Sequence, residues 1–280
     1  MIRVERDRIP PERDRRHGAD GYGDAVPTNT AIDTIATLKP SVQQWVRGWM
    51  QGPAASKRAT ELGLRDGEQI WIVGRAGVLG GSDAAVAAAG LAFLAPALVR
   101  RAWDSLPASL TPRKVAAAYA QLACEWGDSE LPRFGDATLE RLDLLGRRVV
   151  DAADGSLGTV FAGWRAMPQP TSLGARVALT MHVVRELRGA AHIVALHATG
   201  ITPLRAVLAS PAAPPRTGAP WAEHLGWKGP FDDPAQFVAA RAEAEDLTNR
   251  ILGPAFDALD PAELAEFAEL CTSVRNAIEM

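Results

Sequence analysis

Residues 181–200, with the sequence MHVVRELRGAAHIVALHATG, carry the pattern that decides the fold. Valine, leucine and isoleucine recur through this stretch at the spacing of an α-helix, and they do not alternate with polar residues as in a strand. A helix turns 100° per residue, which brings onto one broad face the residues His182, Arg185, Glu186, Gly189 and His192. The stretch therefore predicts an α-helix that is apolar except for one polar face.

Helical signals fill the rest of the chain as well. Thr111 can cap a helix that Pro112 opens, because proline pre-sets the first turn without losing a needed N–H. Asp136 begins another clear helix, and almost no segment alternates with period two. These patterns predict an all-α protein, a multi-helix bundle with helix-turn-helix-like elements and a C-terminal helical pair.

Composition divides the chain into four predicted parts. Residues 1–29 are rich in arginine, acids and proline, which is too polar to bury a core, so we expect a disordered charged arm. Residues 30–210 form the helical domain. The run PAAPPRTGAP cannot continue a helix, which makes residues 211–233 a Pro/Gly-rich linker, and residues 234–280 form the C-terminal helical pair.

Composition also indicates in which cellular compartment the protein works and argues against some binding partners. Cys124 and Cys271 are far apart and have no CxxC spacing, so neither a disulfide framework nor a cysteine zinc site is indicated. No apolar run reaches the roughly 18–20 residues that span a bilayer, and no signal peptide is recognisable. We therefore expect a cytoplasmic protein without membrane contact. The net charge of −3 gives no global attraction to nucleic acid, so any DNA contact has to be local.

The polar face of the helix at residues 181–198 is the candidate ligand-binding site, with Arg185, Glu186, Arg188 and His192. A carboxylate beside two arginines stays ionised, and a nearby histidine can donate or accept a proton near neutral pH. Such a set suits an anion or a small molecule. It also suits a buried Arg-Glu-Arg-His network that only fixes helix packing, since buried charges are usually paired.

A metal ion or a haem is a further alternative for the same face. His182 and Glu186 lie four residues apart on the helix and could share an ion. Two ligands are too few to define a metal site, and the sequence identifies neither a cofactor nor a catalytic residue.

A glycine-rich run follows residues 70–73, which are Ile-Trp-Ile-Val. These residues could be a strand that enters a phosphate-binding loop, since glycines let backbone N–H groups approach an anion. Gly74, Gly77 and Gly80 have the spacing G-x-x-G-x-x-G, which differs from the nucleotide-binding G-x-G-x-x-G. Close packing of helices through small residues is the alternative.

The sequence ATGIT-Pro203 after the long helix has the grammar of a helix-turn-helix. Gly200 can end one helix in a left-handed turn, Thr202 can cap the next, and Pro203 can open it. In that second helix, Arg205 and Ser210 are the candidate DNA-binding residues. An ordinary packed helical corner is the other interpretation.

Two tryptophans further along the chain have two alternative roles. Trp221 and Trp227 lie in PWAEHLGWKGPF, a segment rich in proline and glycine. Large rings in such a segment could close over a pocket, or they could act as a simple hydrophobic latch. The sequence leaves both roles open.

Three runs of sequence carry a family resemblance. They are GRAGVLG with the helix that follows it to Trp103, then RELRGAAHIVAL, and last the C-terminal helix with residues 246–252. Together they resemble the SalK-type actinobacterial helix-turn-helix family, whose proteins are winged-helix-like. The resemblance implies a transcriptional regulator of the kind often encoded near secondary-metabolite genes.

The run RELRGAAHIVAL is the specific part of the resemblance. It implies that the signature residues of this chain are Arg185, Glu186, Arg188, Gly189 and His192. The chain departs from the family pattern in three ways. Leu187 stands where the family has a histidine, Ala190 replaces an acid, and no glycine-bounded strand pair that could form a wing lies between residues 212 and 233.

The leading interpretation is a SalK-type transcriptional regulator or small-molecule-sensing helical protein, with a ligand held near the polar helix face. The alternative is an enzyme of specialised metabolism that uses Arg185, Glu186, Arg188 and His192 as an acid-base and anion-binding site. A scaffold that binds a partner through its helical surface is a third interpretation. The candidate partners are a small molecule, DNA and a second copy of the chain in a homodimer.

Overall fold

The structure is a computed structural model that describes residues 29–212 and 216–278. The predicted charged arm at residues 1–29 lies outside this part of the chain, apart from Asn29, which begins the first helix. The described residues form helices joined by loops and contain no strand. The predicted all-α class is therefore confirmed.

The described residues form fourteen α-helices, numbered here in chain order. The first seven are α1 (Asn29–Trp45), α2 (Arg47–Met50), α3 (Pro53–Glu61), α4 (Gly67–Ala76), α5 (Ala84–Gly90), α6 (Pro96–Asp104) and α7 (Pro112–Glu130). The others are α8 (Asp136–Ala152), α9 (Thr159–Arg165), α10 (Leu173–Ala198), α11 (Pro203–Leu208), α12 (Gly218–His224), α13 (Val238–Phe256) and α14 (Pro261–Ile278).

Several helices begin where local capping signals predict. The Thr111 hydroxyl accepts a hydrogen bond from the backbone N–H of Lys114 at the start of α7. Thr202 caps α11 in the same way, and Gly200 before it has a positive φ of 71°. Because these signals depend on only three or four neighbouring residues, the sequence alone is enough to place the helix starts.

The central element is α10, which contacts α1, α7, α8, α9 and α13. Most of its side chains are buried on every side, as expected of a helix in the middle of a bundle. Its polar residues are therefore carried into the core. Helices α13 and α14, the predicted C-terminal pair, pack on the same body, with α14 against α1 and α8.

The segment Ile70–Val73 is helical, so its interpretation as a strand is wrong. It lies within α4, where the Asp66 side chain accepts a hydrogen bond from the backbone N–H of Gln69 at 2.8 Å. A Cβ on Gly74 would lie 2.6 Å from Cγ of Tyr119, and one on Gly77 only 2.2 Å from the carbonyl oxygen of Pro112. These glycines serve close helix packing, which was the alternative interpretation.

The predicted linker at residues 211–233 contains a helix that the sequence did not predict. Helix α12 begins at Gly218 and includes Pro220 in its first turn, where proline costs no hydrogen bond. Its Ala222 is buried, and it contacts α11. The boundaries of the four domains stay a prediction.

Helices α7 and α10 approach each other through a pair of glycines. A Cβ on Gly127 would lie 2.4 Å from the carbonyl oxygen of Gly174, and a Cβ on Gly174 would lie 2.5 Å from that of Gly127. Both clashes are with backbone atoms, which cannot rotate away as a side chain can. Only glycine at both positions allows this approach.

The substitution Gly127→Ala is expected to lower the free energy of unfolding by about 1–3 kcal/mol, because the added methyl group forces the two helices apart. Urea denaturation followed by circular dichroism measures the change. Gly81→Ala is the control, since a Cβ there meets no atom within 4 Å. Equal stability of the two variants would contradict the close approach.

Candidate functional site

The polar face of α10 opens into a cavity of about 490 Å³. All four predicted ligand-binding residues, Arg185, Glu186, Arg188 and His192, line this cavity together with Gly189. Glu186, Arg188 and His192 are buried. The fold therefore gathers at one site the residues that the sequence pattern singles out.

The remaining walls of the cavity are mainly apolar and come from α1, α4, α5, α9, α11, α12, α13 and the turn between α5 and α6. Their larger side chains are those of Trp71, Leu91, Phe93, Phe161, Val207 and Trp221. Mainly apolar cavities of about 300–1,000 Å³ with a few converging polar groups are typical of small-molecule sites. Trp227 lies behind this wall, where its indole N–H donates to the carbonyl oxygen of Phe93 at 2.9 Å.

One end of the polar face is the Glu186 cluster, formed by Arg75, Arg185 and Glu186. The Arg75 guanidinium donates two hydrogen bonds of 3.0 Å, one to each carboxylate oxygen of Glu186. Arg185 donates a third, to Oε1, at 2.5 Å. Burial alone would raise the pKa of Glu186, but the charges of Arg75 and Arg185 outweigh it and lower that pKa to about 2. Two guanidinium groups thus share one ionised carboxylate.

The other end is the Glu245 cluster, in which Lys39, Arg188 and Arg241 surround Glu245. Lys39 and Arg241 contact Oε2 of Glu245 at 2.9 and 2.6 Å, and Arg188 donates to Oε1. Burial and the charge of Arg241 lower the pKa of Arg188 to about 10. Burial, with the charges of Arg188 and Arg241, lowers the pKa of Lys39 to about 7. This cluster therefore holds more positive charge than its one carboxylate balances.

His192 lies beside the Glu245 cluster as a neutral imidazole. Its Nδ1 is 2.7 Å from the hydroxyl oxygen of Thr248, and that hydroxyl donates its own proton to the carbonyl of Ala244. Nδ1 must then be the donor, which leaves Nε2 as an acceptor without a partner among the described residues. Burial and the neighbouring cations lower the pKa of His192 to about 2, so the ring is neutral at pH 7.

His182 lies in the core and does not line the cavity. Its ring is enclosed by Trp49, Tyr119 and Trp164, with centroid distances of 5.2, 6.2 and 4.3 Å. Its Nε2 is 3.8 Å from Oε1 of Glu186, but both oxygens of that carboxylate already accept from arginine. Among the described residues, no three His, Cys, Asp or Glu side chains come together to hold a metal ion. The metal pair therefore stays a prediction.

The two candidate DNA-binding residues point to different environments. Arg205 is exposed on α11, where its guanidinium lies 4.7 Å from the ring centroid of Phe237 and pairs with Asp232 at 3.1 Å. Ser210 instead lines the cavity. The turn at Gly200 is exposed. Of the two residues, only Arg205 is on the surface beside the helical turn.

Four polar residues of the site were not predicted from the sequence: Lys39, Arg75, Arg241 and Glu245. They lie on α1, α4 and α13, and Lys39, Arg75 and Glu245 contact partners that are far away in the chain, as Arg75 does with Glu186 across 111 residues. The sequence feature that could have indicated such residues is a single cation next to an apolar run, such as Arg75 directly after Ile70–Gly74. The same feature identified Arg185 on α10.

The fold and the site define an all-α protein with a polar cavity in its core and an exposed helical turn beside it. Residues 37–279 match the Helix-turn-helix family, so the chain belongs to this family. Membership supports a DNA-binding regulator in general. No curated protein and no solved structure matches the chain. None of the helices in the described part of the chain is long and apolar enough to cross a membrane.

The two buried histidines predict a loss of stability in acid. Burial lowers the pKa of His182 to about 3, and burial together with the neighbouring cations lowers the pKa of His192 to about 2. In the unfolded chain, each histidine has a pKa of about 6.5. Below that pH the unfolded state binds more protons than the folded state. Each histidine then reduces the free energy of unfolding by about 1.4 kcal/mol for every unit by which the pH falls.

Replacing His182 with phenylalanine should reduce the slope of the free energy of unfolding against pH by the contribution of one histidine, about 1.4 kcal/mol per pH unit. Urea denaturation between pH 7 and pH 4 measures the slope, which does not depend on how much the substitution changes the absolute stability. His197→Gln is the control, since His197 is exposed on α10. An unchanged slope in the His182 variant would refute the neutral, buried imidazole.

Proposed function

We propose that the protein is a ligand-responsive transcriptional regulator of the SalK type, which holds a small organic molecule in the cavity beneath α10. The observation that carries the proposal is the position of the helical corner. Helices α11 and α12, which follow the exposed turn at Gly200, form part of the cavity wall through Val207, Ser210 and Trp221. A molecule in the cavity would contact α10 and α11, the two helices on either side of the turn at Gly200.

Gly189 supports a ligand-binding role for the cavity. A glycine in the middle of a helix costs about 1 kcal/mol relative to alanine, so a packing or functional reason is expected. At the α7–α10 crossing the reason is steric, but a Cβ on Gly189 would meet no atom within 4 Å. Because Gly189 lines the cavity, its missing side chain adds space there. That space is of use to a bound molecule and of none to packing.

The enzyme interpretation has less support from the same residues. A pKa of about 2 makes His192 a poor proton acceptor at neutral pH. Glu186 has both oxygens engaged by Arg75 and a pKa of about 2, so it would be a poor base and would carry no proton to donate. Groups that stay in one charge state suit the recognition of a ligand better than they suit acid-base chemistry.

The substitution Gly189→Leu is expected to abolish ligand binding without unfolding the protein, because the new side chain occupies the cavity and leucine favours the helix. Thermal shifts with a broad library of small organic molecules measure this. The wild type should be stabilised by some members and the variant by none. Gly81→Leu, which adds the same side chain in open space outside the cavity, should behave like the wild type. A library without any stabilising member would contradict the ligand-binding role.

DNA binding is tested separately, by selecting protein-bound fragments from a random-sequence pool. Arg205→Gln should weaken binding to the selected DNA and reduce the slope of log K against log salt by about one, as expected when one phosphate contact is lost. Arg250→Gln removes an exposed arginine from α13 and should leave both quantities unchanged. If no sequence is enriched, the regulator proposal loses its DNA-binding half.

A further inference from the structure

The cavity carries a surplus of positive charge. Four arginines line it, Arg75, Arg185, Arg188 and Arg241, while Glu186 is the one acidic side chain in its described wall. Glu245 adds a second carboxylate just behind the wall. Four guanidinium charges against two carboxylates leave two positive charges unbalanced, before Lys39 is counted. Buried charges are stable when paired, so this charge balance favours the binding of an anion.

Two arginines of the same wall also have hydrogen-bond donors without an acceptor. The Nε atoms of Arg188 and Arg241 are buried and have no acceptor among the described residues. Arg188 is only 7% exposed, so solvent does not replace the missing acceptor. A buried N–H of a charged group without a partner is costly, and an anionic oxygen satisfies it better than a neutral one does.

The aromatic side chains of the cavity suit an apolar and flat molecule. The Phe93 and His192 rings are stacked, with a centroid distance of 5.6 Å and an interplanar angle of 13°. Trp71 and Trp221 add further aromatic surface to the cavity. Aromatic rings pack well on one another in offset or edge-to-face arrangements.

We propose that the cavity selects small aromatic organic acids, whose carboxylate or phosphate pairs with Arg188 and Arg241 while the ring system packs against Phe93 and Trp221. This inference rests on the proposed function, since it names the ligand class for the same cavity. The geometry gives each part of such a molecule a matching wall. An amine or a neutral molecule of the same shape would leave the surplus charge uncompensated.

Matched sets of probes test the charge requirement. The members of a set share one aromatic ring system of one to three rings and differ in the group attached to it, which is a carboxylate, a phosphate, a primary amide or an amine. One such set is 2-naphthoate, 2-naphthyl phosphate, 2-naphthamide and 2-naphthylmethylamine. Thermal-shift measurements identify the ring system that stabilises the protein most, and calorimetry then measures the dissociation constants of the members of that set. At least one anionic member should bind about tenfold or more tightly than its amide, which corresponds to one charge-assisted hydrogen bond. Comparison of the carboxylate with the phosphate identifies the anionic group.

Variants locate the anion. Arg241→Gln should weaken binding of the best anionic probe by about tenfold or more and leave the affinity for its amide unchanged. Arg250→Gln, on the same helix but outside the cavity, should leave both affinities unchanged. If Arg241→Gln does not fold, Arg241→Lys keeps the charge but lacks Nε, and it should still bind the anion more weakly than the wild type.

Three outcomes would overturn the inference. They are equal binding of amide and acid, preferential binding of the amines, and no binding by any probe set. The proposed function survives each of them if uncharged or cationic members of the broad library stabilise the wild type but not Gly189→Leu. The ligand-binding half of the proposed function fails, together with this inference, when no member of either collection binds.

Discussion

The structure depends on the pairing of charges that α10 carries into the core. A helix at the centre of a bundle is expected to be apolar all round, yet α10 buries Glu186, Arg188 and His192. Each buried charge requires a partner from another helix, since the loss of one partner typically costs about 3–5 kcal/mol. Arg75 of α4 and Glu245 of α13 supply these partners. The charges of α10 therefore link it to α4 and α13, and the cavity lies beside these ion pairs.

Local chemistry made much of the fold predictable. Thr111 and Thr202 cap helices because their hydroxyls reach N–H groups three residues away, and the polar face of α10 follows from a period of 3.6 residues. The run Ile70–Val73 was ambiguous because a short apolar run fits a buried helix as well as a buried strand. Helix α12 was missed because the prolines and glycines in and around it are typical of a loop, although Pro220 is tolerated in a first turn.

The candidate site was predictable only on the helix that carries most of it. Arg185, Glu186, Arg188 and His192 are visible as polar residues on one apolar helix. Their partners are not, because Glu245 is 57 residues from Arg188 and only the tertiary fold brings them together. For the same reason, Ser210 was expected to face DNA but lines the cavity. The sequence can indicate that a helix face is unusually polar, but only the structure shows which charges from other helices balance those of that face.

A crystal structure of the protein with its tightest-binding aromatic carboxylate tests the central claim most directly. The account predicts the ring system in the cavity beneath α10 and a carboxylate oxygen within hydrogen-bonding distance of Nε of Arg188 or Arg241. It would be contradicted by a molecule bound outside the cavity, or by one inside it whose carboxylate points away from both arginines.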